Sequence, residues 1–353
     1  MLSKHTHTFT KSNNSVGQKL SDVLDPETLI SPPSIAFAMG IIHLAAAENT
    51  DKQLTDMFGQ KNTVDGLIEI QKLFNQSIIK MANCFVFNEI FKIKDEYLNT
   101  VKQLAMICVR NFSQPKLIAQ ECNDFIAQGT NNLIQNIVKP DMITSDTVSI
   151  LINTLYFKTV WRKPFKKHLT TDKLFDEKVM VPMMKQRKMM AYFEDDNVQM
   201  IELVYEGEEY GMVVALPKNG DVKGCSKYLF NDITFKFEHV DCEFPKFTQR
   251  KNIDLKPLLM KNGVSDLFSS GECKLSSMSD QKVYVSDIIH EAVVIVDEAG
   301  TEAAAVTVAM MCIESCYEEP EYIEFYAHKP FAYAIRRRAC NTVIFSGRYF
   351  GPQ

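Results

Sequence analysis

The order in which two hydrophobic periodicities follow one another limits the fold of this chain more than any other feature. Up to about residue 140 the pattern is mostly helical, and from Val148 onward it is that of strands. Ser31-Pro-Pro-Ser34 punctuates an apolar helix predicted from Ile35 to about Ala47. Further helices are predicted near Thr50 to Phe58, Val64 to Ile79 and Ala119 to Ile137, with Met81 to Phe87 a strand among them. Val148 to Phe157, Met200 to Tyr205, Met212 to Leu216, Ile233 to Phe237 and Val283 to Val296 carry β-branched and aromatic residues at strand lengths. Val293-Val-Ile-Val296 is apolar on consecutive residues, the mark of a central strand covered on both faces. Helices first and strands later, without regular alternation, predict an α+β fold. No repeat, low-complexity tract or long linker divides the chain, so residues 1–353 read as one domain.

Composition removes several function classes. With 46% hydrophobic residues, 24% charged residues and a formal net charge of −5, the chain has material for a core but no broad positive field. Neither nucleic acid nor an anionic membrane is expected as a partner, and the short basic stretches Lys185, Arg187, Lys188 and Arg336, Arg337, Arg338 read as solvated faces. The opening residues lack the apolar core of a signal peptide, and the run Ile35 to Ala47, interrupted by His43, is too short to span a bilayer. Nine cysteines, an odd number without metal-ligand spacing, fit a reducing compartment, so the expectation is a cytoplasmic protein or one released without a classical leader. No metal or other cofactor is expected. The seven histidines form no metal or nucleophile motif, and no glycine-rich phosphate cradle appears, so nothing points to an enzyme. His290, set between apolar strand segments, reads as a satisfied core histidine and not as a general base.

The most unusual stretch runs from Glu298 through Gly300, Thr301, Glu302, Ala303, Ala304 and Ala305 to an acidic segment before Pro330. Placed in a sheet, it would turn Thr301, Ala303, Ala305 and Thr307 to one face, all of them small, and that face could slide under a helix. An alanine-rich surface loop or short helix is the plain alternative.

Glu298-Ala-Gly-Thr-Glu-Ala-Ala-Ala305 resembles the hinge of the reactive-centre loop of the serpin family. The likeness continues through Ser286 to Val294, His328-Lys-Pro-Phe331 and Phe345-Ser-Gly-Arg348 with Pro352. Upstream it takes in Ile30-Ser-Pro-Pro-Ser-Ile35, Asn49-Thr50, Asn83, Asn153, Tyr156-Phe-Lys158, Trp161, Phe165, Phe175, Val181-Pro-Met-Met184, Leu216-Pro217 and Phe244-Pro-Lys-Phe247. Two departures are Val204 within Glu202-Leu-Val-Tyr205, and Asn132 where the family usually has glycine. The stretch from Gly59 to Met81 is shorter than in many members, which implies an abbreviated helix and no glycosaminoglycan partner.

The resemblance implies a serpin fold, helices around three β-sheets with an exposed reactive-centre loop at about 298–325, in a monomer that traps a protease instead of catalysing a reaction. It further implies a sheet-opening cluster of Ser31, Ser34, Asn153 and His290, first insertion of the loop near Trp161, and a pairing of Glu298 with Lys246. Counting from Glu298 by the family's usual spacing puts the reactive bond between Glu314 and Ser315; a count back from Pro330 leaves Cys316 or Tyr317, and an elastase-like target would take Ile313. An acidic residue before the cut suits a serine protease with a basic primary pocket, or alternatively a cysteine protease. Glu318, Glu319, Glu321 and Glu324 form an acidic strip that would meet a basic rim or serve as a soluble flank, and oxidation of Cys312 and Cys316 would silence the loop. The alternative within the family is a non-inhibitory member acting as a binding or chaperone-like protein.

Overall fold

A computed structural model describes residues 4–74, 78–144, 146–301 and 320–352. Its helices are α1 (Lys4–Val23), α2 (Pro32–His43), α3 (Glu48–Phe58), α4 (Val64–Phe74), α5 (Asp95–Val101), α6 (Pro115–Gly129), α7 (Ser226–Phe230) and α8 (Leu255–Lys261). The strands of the first half are β1 (Leu29–Ile30), β2 (Ile79–Asn88), β3 (Met106–Arg110), β4 (Ser149–Phe157), β5 (Thr159–Val160), β6 (Thr171–Phe175), β7 (Val179–Glu194) and β8 (Val198–Val204). Those of the second half are β9 (Tyr210–Pro217), β10 (Lys236–Pro245), β11 (Phe247–Asp254), β12 (Asp287–Val296), β13 (Gly300–Thr301), β14 (Ile323–Tyr326), β15 (Phe331–Arg337) and β16 (Thr342–Tyr349).

The predicted elements are present with shifted ends. The helix expected from Ile35 starts at Pro32, because the first turn of a helix tolerates proline, whose missing N–H has no intrahelical acceptor there. The helix expected over Ala119 to Ile137 is α6 and stops at Gly129. Beyond it Asn131, Asn132 and Asn136 take φ of 53°, 62° and 57°, a region that ends a right-handed helix. At Asn132 this accounts for the usual glycine of the family and for the tolerance of asparagine, which enters that region at low cost. The strand expected at Ile233 to Phe237 begins at Lys236 and runs on to Pro245.

One sheet runs β3-β2-β4-β12, with β11 on the far edge of β12 and the short β13 and β5 continuing the β4 side. The strands β4 and β12 are parallel and directly paired, from Ile150 beside Asp287 to Tyr156 beside Val293. Of the three sheets the resemblance implies, the other two are continuous here through the long strand β7, in the order β1-β16-β15-β9-β8-β7-β10-β14 with β6 also on β7.

Every residue of β4 is buried, as the consecutive apolar pattern requires of a strand covered on both faces. Alternation sends Leu151, Leu155 and Phe157 into the main core, while Ile150 and Ile152 join a second core beneath α6. That second core also holds Cys84 and Val86 of β2, Ile289 and Val293 of β12, and the apolar stripe Ile118, Ala119, Cys122 and Ile126 of α6. At its end α6 approaches β2 so closely that a Cβ on Gly129 would lie 2.8 Å from that of Ala82.

The basic stretches are ion-paired and not merely solvated, contrary to expectation. Arg336 is buried with Nη2 3.2 Å from Glu202 Oε1, Arg338 Nε lies 3.2 Å from Glu202 Oε2, and Arg337 pairs with Glu209 at 2.9 Å. Lys185 and Arg187 meet the buried carboxylates of Glu243 and Asp241, and burial pushes the Lys188 ammonium down to about 8. Replacing Glu202 by alanine leaves Arg336 in the interior without its ion-pair partner. Glu202→Ala is therefore expected to lower the free energy of unfolding in urea by about 3 kcal/mol, and Glu202→Gln by less. A loss below about 1 kcal/mol for the alanine variant would give the pair only the weight of an exposed salt bridge.

Candidate functional site

Two polar constellations sit on the seam between β4 and β12. The first lies beneath the N-terminus of α2. The Ser31 backbone N–H donates to His290 Nε2 at 3.1 Å, so the ring carries its proton on Nδ1, which donates to Asn153 Oδ1 at 2.8 Å. The Ser34 hydroxyl donates to the same oxygen at 2.9 Å, and Asn153 Nδ2 donates to the Ser34 carbonyl at 2.9 Å and to Asn83 Oδ1 at 2.6 Å. Sequence reasoning gathered Ser31, Ser34, Asn153 and His290, and the fold brings them together, tying α2 to β2, β4 and β12 through groups that are all buried. Asn83 is a member that reasoning left out; an asparagine in the middle of an apolar strand was the signal, since its amide needs a partner.

The second constellation lies where β4 and β12 part. Beyond Tyr156 and Val293 the gap is occupied by Gly300 and Thr301, with Thr301 beside Val296 of β12 on one side and Thr159 of β5 on the other, antiparallel to both. A tight turn brings the chain there: Asp297 Oδ1 accepts from the N–H groups of Ala299 and Gly300 at 2.8 and 3.0 Å. Only glycine fits at position 300, where a Cβ would stand 2.3 Å from the carbonyl oxygen of Thr159. The buried Thr301 hydroxyl lies 2.6 Å from the hydroxyl of Tyr205, on which Trp161 stacks at 4.4 Å with an interplanar angle of 9°.

Trp161 holds the turn at two points, its indole N–H donating to the Asp297 carbonyl at 2.9 Å and its backbone N–H to the Ala299 carbonyl at 2.7 Å. Lys246 Nζ reaches Glu298 Oε2 at 3.1 Å, the pairing the resemblance implied, and Thr170 donates to Oε1 at 3.0 Å. Burial alone would raise the Glu298 carboxyl, but its backbone, Lys246 and Thr170 hydrogen bonds outweigh that and hold it below the usual range. Tyr205 and Thr170 were not singled out from sequence; a tyrosine closing an apolar strand was a usable sign, because its hydroxyl seeks a partner when buried.

Thr301 points into the main core, toward Tyr205, and not toward the second core that α6 covers. Thr301 thus lies on the side of the sheet opposite α6, and Ala303, Ala305 and Thr307, the other residues of the face expected to slide under a helix, lie outside the described residues. Glu302, Ala303, Ala304, Ala305, Glu314 and Ser315, together with Cys312, Cys316, Glu318 and Glu319, lie outside the described residues. Glu321 and Glu324 are described and exposed. The seven cysteines among the described residues are free, and no set of side chains there is disposed to hold a metal ion.

Comparison with known proteins gives this architecture a class. The profile of the family described as serpin (serine protease inhibitor) matches residues 11–352, and the chain belongs to that family. An uncharacterized serpin-like protein of Acanthamoeba polyphaga mimivirus is 33% identical over 361 residues, covering 97% of this chain and 90% of that protein. The human leukocyte elastase inhibitor is 30% identical over 356 residues, covering 92% of each. Among solved structures, human thyroxine-binding globulin in complex with its hormone superposes with a TM-score of 0.83 at 23% identity, over 98% of both chains, so the fold also serves a binding protein.

His290 carries a measurable consequence of its burial, which lowers its pKa from the ordinary 6.5 to about 3. Between those values the unfolded chain takes up a proton that the folded ring refuses, so stability falls as pH drops below about 6.5, by about 1.4 kcal/mol per pH unit. Between pH 6.5 and 5 the wild type is expected to lose about 2 kcal/mol from this group, a loss absent in His290→Gln when both are unfolded in urea. His43, also lowered by burial, contributes a slope of the same sign that survives in the variant. Equal slopes in the two proteins would refute the assignment of a neutral His290.

Proposed function

We propose that the protein is a protease inhibitor that works once, as a suicide substrate, and has no catalytic cycle of its own. The observation that carries this reading is the strand Gly300–Thr301, already seated between β12 and β5 at the end of the β4–β12 seam, with small residues next in the sequence. Because β4 and β12 are mutually parallel, a chain continuing from Thr301 along the seam runs antiparallel to both. Insertion would exchange one parallel ladder for two antiparallel ones, the better-aligned arrangement, and bury a further strand.

The target's nucleophile attacks the reactive bond and forms an acyl ester with the residue before it, which Glu314 supplies in the simplest count. Cleavage frees the hinge side of the loop, Ala303, Ala305 and Thr307 follow Thr301 to the main-core face, and the tethered protease is carried away before water reaches the ester. Ser31, Ser34, Asn153 and His290 then act as the latch to be slid past, and Trp161, Tyr205 and Lys246 hold the entry point. A basic primary pocket in the target suits Glu314, with serine proteases first and cysteine proteases second. The free thiols fit a reducing, cytoplasmic setting.

The test incubates the protein with proteases of differing primary specificity and looks on denaturing gels for a covalent complex, with the released fragment beginning at Ser315. Complex formation with that terminus supports both trap and register; cleavage without complex across the panel favours the binding-protein reading. Thr301→Arg places a charge where a buried hydroxyl now sits, and is expected to slow insertion more than about tenfold and turn the inhibitor into a substrate. Undiminished covalent trapping by that variant would sink the insertion mechanism.

A further inference from the structure

We propose that Cys84, Cys108 and Cys122 form an oxidisable thiol site that reacts with a hydroperoxide and ends as a Cys84–Cys122 disulfide, fixing α6 to β2 and so restraining the opening of the sheet. The inference rests on the loop-insertion reading above and concerns residues that reading does not use. Cys84 lies on β2, Cys108 on the neighbouring β3 and Cys122 on α6, and all three side chains meet in the second core. Cys84 Sγ and Cys122 Sγ are 3.6 Å apart, and the Cys84 thiol is hydrogen-bonded to Cys108 as well. A disulfide needs about 2.0 Å between the sulfurs, so the two side chains must approach further to form one.

The three thiols differ in chemistry. Hydrogen bonding from Cys84, with Arg110 nearby, lowers the Cys108 thiol to about 7, whereas its thiol neighbours and burial drive Cys84 well up. β3 is an outer strand of its sheet; Cys108 is its one buried residue, so peroxide reaches the thiol only as that edge opens, and Arg110, two residues on, has its Nε 2.9 Å from Glu121 of α6. The Cys108 thiolate attacks the peroxide, the O–O bond breaks, hydroxide leaves and is protonated to water, and Cys108 becomes a sulfenic acid. Cys84 attacks that sulfur and a second water leaves; Cys122 then attacks Cys84 and releases Cys108, whose low pKa makes it a good leaving group. In sum, two thiols and one hydrogen peroxide give one disulfide and two waters.

The location gives the disulfide its consequence. The apolar stripe of α6 rests in one core with Ile150 and Ile152 of β4 and with Ile289 and Val293 of β12, on either side of the seam. A strand entering that seam would widen the sheet under α6 by about 4.8 Å, so α6 must shift relative to β2 or β12. A covalent bond from α6 to β2 removes part of that freedom.

The experiment uses the full chain carrying Cys312→Ser and Cys316→Ser, so that loop thiols cannot account for the result. It is treated with hydrogen peroxide or left reduced, then nicked in the loop by a broad-specificity protease, with cleavage verified by mass. Insertion is read as the rise in thermal denaturation midpoint after nicking. The expected result is a rise in the reduced protein, loss of that rise after peroxide together with a mapped Cys84–Cys122 disulfide, and recovery with dithiothreitol. The variants Cys122→Ser and Cys122→Ala should keep the rise after peroxide. A mapped disulfide with the rise intact, or peroxide treatment that links Cys84 only to Cys108, overturns the proposal. No rise in the reduced arm would instead remove the loop-insertion reading and the proposal with it.

Discussion

The parallel pairing of β4 with β12 is the interaction on which the remaining features depend. Both strands lie in the middle of a sheet, buried on both faces over most of their length, and they are hydrogen-bonded neighbours from Ile150 and Asp287 to Tyr156 and Val293. In most folds such a pair would be the most permanent part of the molecule. Here a third segment, Gly300–Thr301, already pairs with the continuation of both strands, and in the antiparallel sense. A parallel ladder is slightly weaker per residue than an antiparallel one, so the native arrangement leaves a better one unmade. That difference, multiplied along the seam and joined to the burial of a new strand, is the reservoir on which the proposed loop insertion would draw.

What keeps the seam closed is short-ranged and largely uncharged. His290 is neutral, and the amide, hydroxyl and backbone groups bonded around it find partners on different elements, while the buried Ser31 hydroxyl is without one among the described residues. Neutral hydrogen bonds of this kind contribute about 1 kcal/mol each when made, but a broken one leaves a buried polar group at a comparable or greater cost. In the proposed insertion such a latch would resist opening without storing the large desolvation energies of a buried ion pair. Buried carboxylates are ion-paired in both sheets, Glu202, Asp241 and Glu243 in the second and Glu291 of β12, 2.8 Å from Arg250, in the first. Beside Gly300–Thr301 the ion pair of Glu298 with Lys246 has its lysine side chain 45% exposed, so solvent screening leaves it little weight beside the Trp161–Tyr205 stack and the Thr301 hydroxyl.

Much of this was legible in the sequence, for reasons that differ from residue to residue. The α+β order was visible because β4 and β12 are covered on both faces and therefore apolar on consecutive residues. The latch and the Glu298–Lys246 pair came from resemblance, since nothing in local spacing brings Ser31 next to His290 across more than 250 residues of chain. Helix ends were displaced where the deciding residue acts through conformation, as at Asn131 and Asn132, whose positive φ no periodicity reports. The basic stretches were misread because their partners, Glu202, Asp241 and Glu243, are distant in the chain and become neighbours only through strand pairing. The orientation of Thr301 escaped for a related reason: alternation fixes which residues share a face, but only the position of Tyr205 says which face it is.

That orientation connects the two sides of the sheet. If Thr301 faces the main core, then Glu302, Ala304 and Val306 would alternate, on insertion, toward the side that α6 covers. The main-core side would then receive small side chains into a packed interior, whereas the α6 side would have to accept a glutamate and a valine beneath a helix that shares a core with residues of both seam strands. The constraint on insertion is therefore unequal on the two faces: volume on one, and displacement of a helix on the other. Close packing at Gly129 against Ala82 makes α6 ride directly on β2, so the helix moves with that strand or slides over it. In the proposed mechanism the contacts between α6 and the sheet would then be a second determinant of how readily the seam opens, independent of the composition of the loop itself.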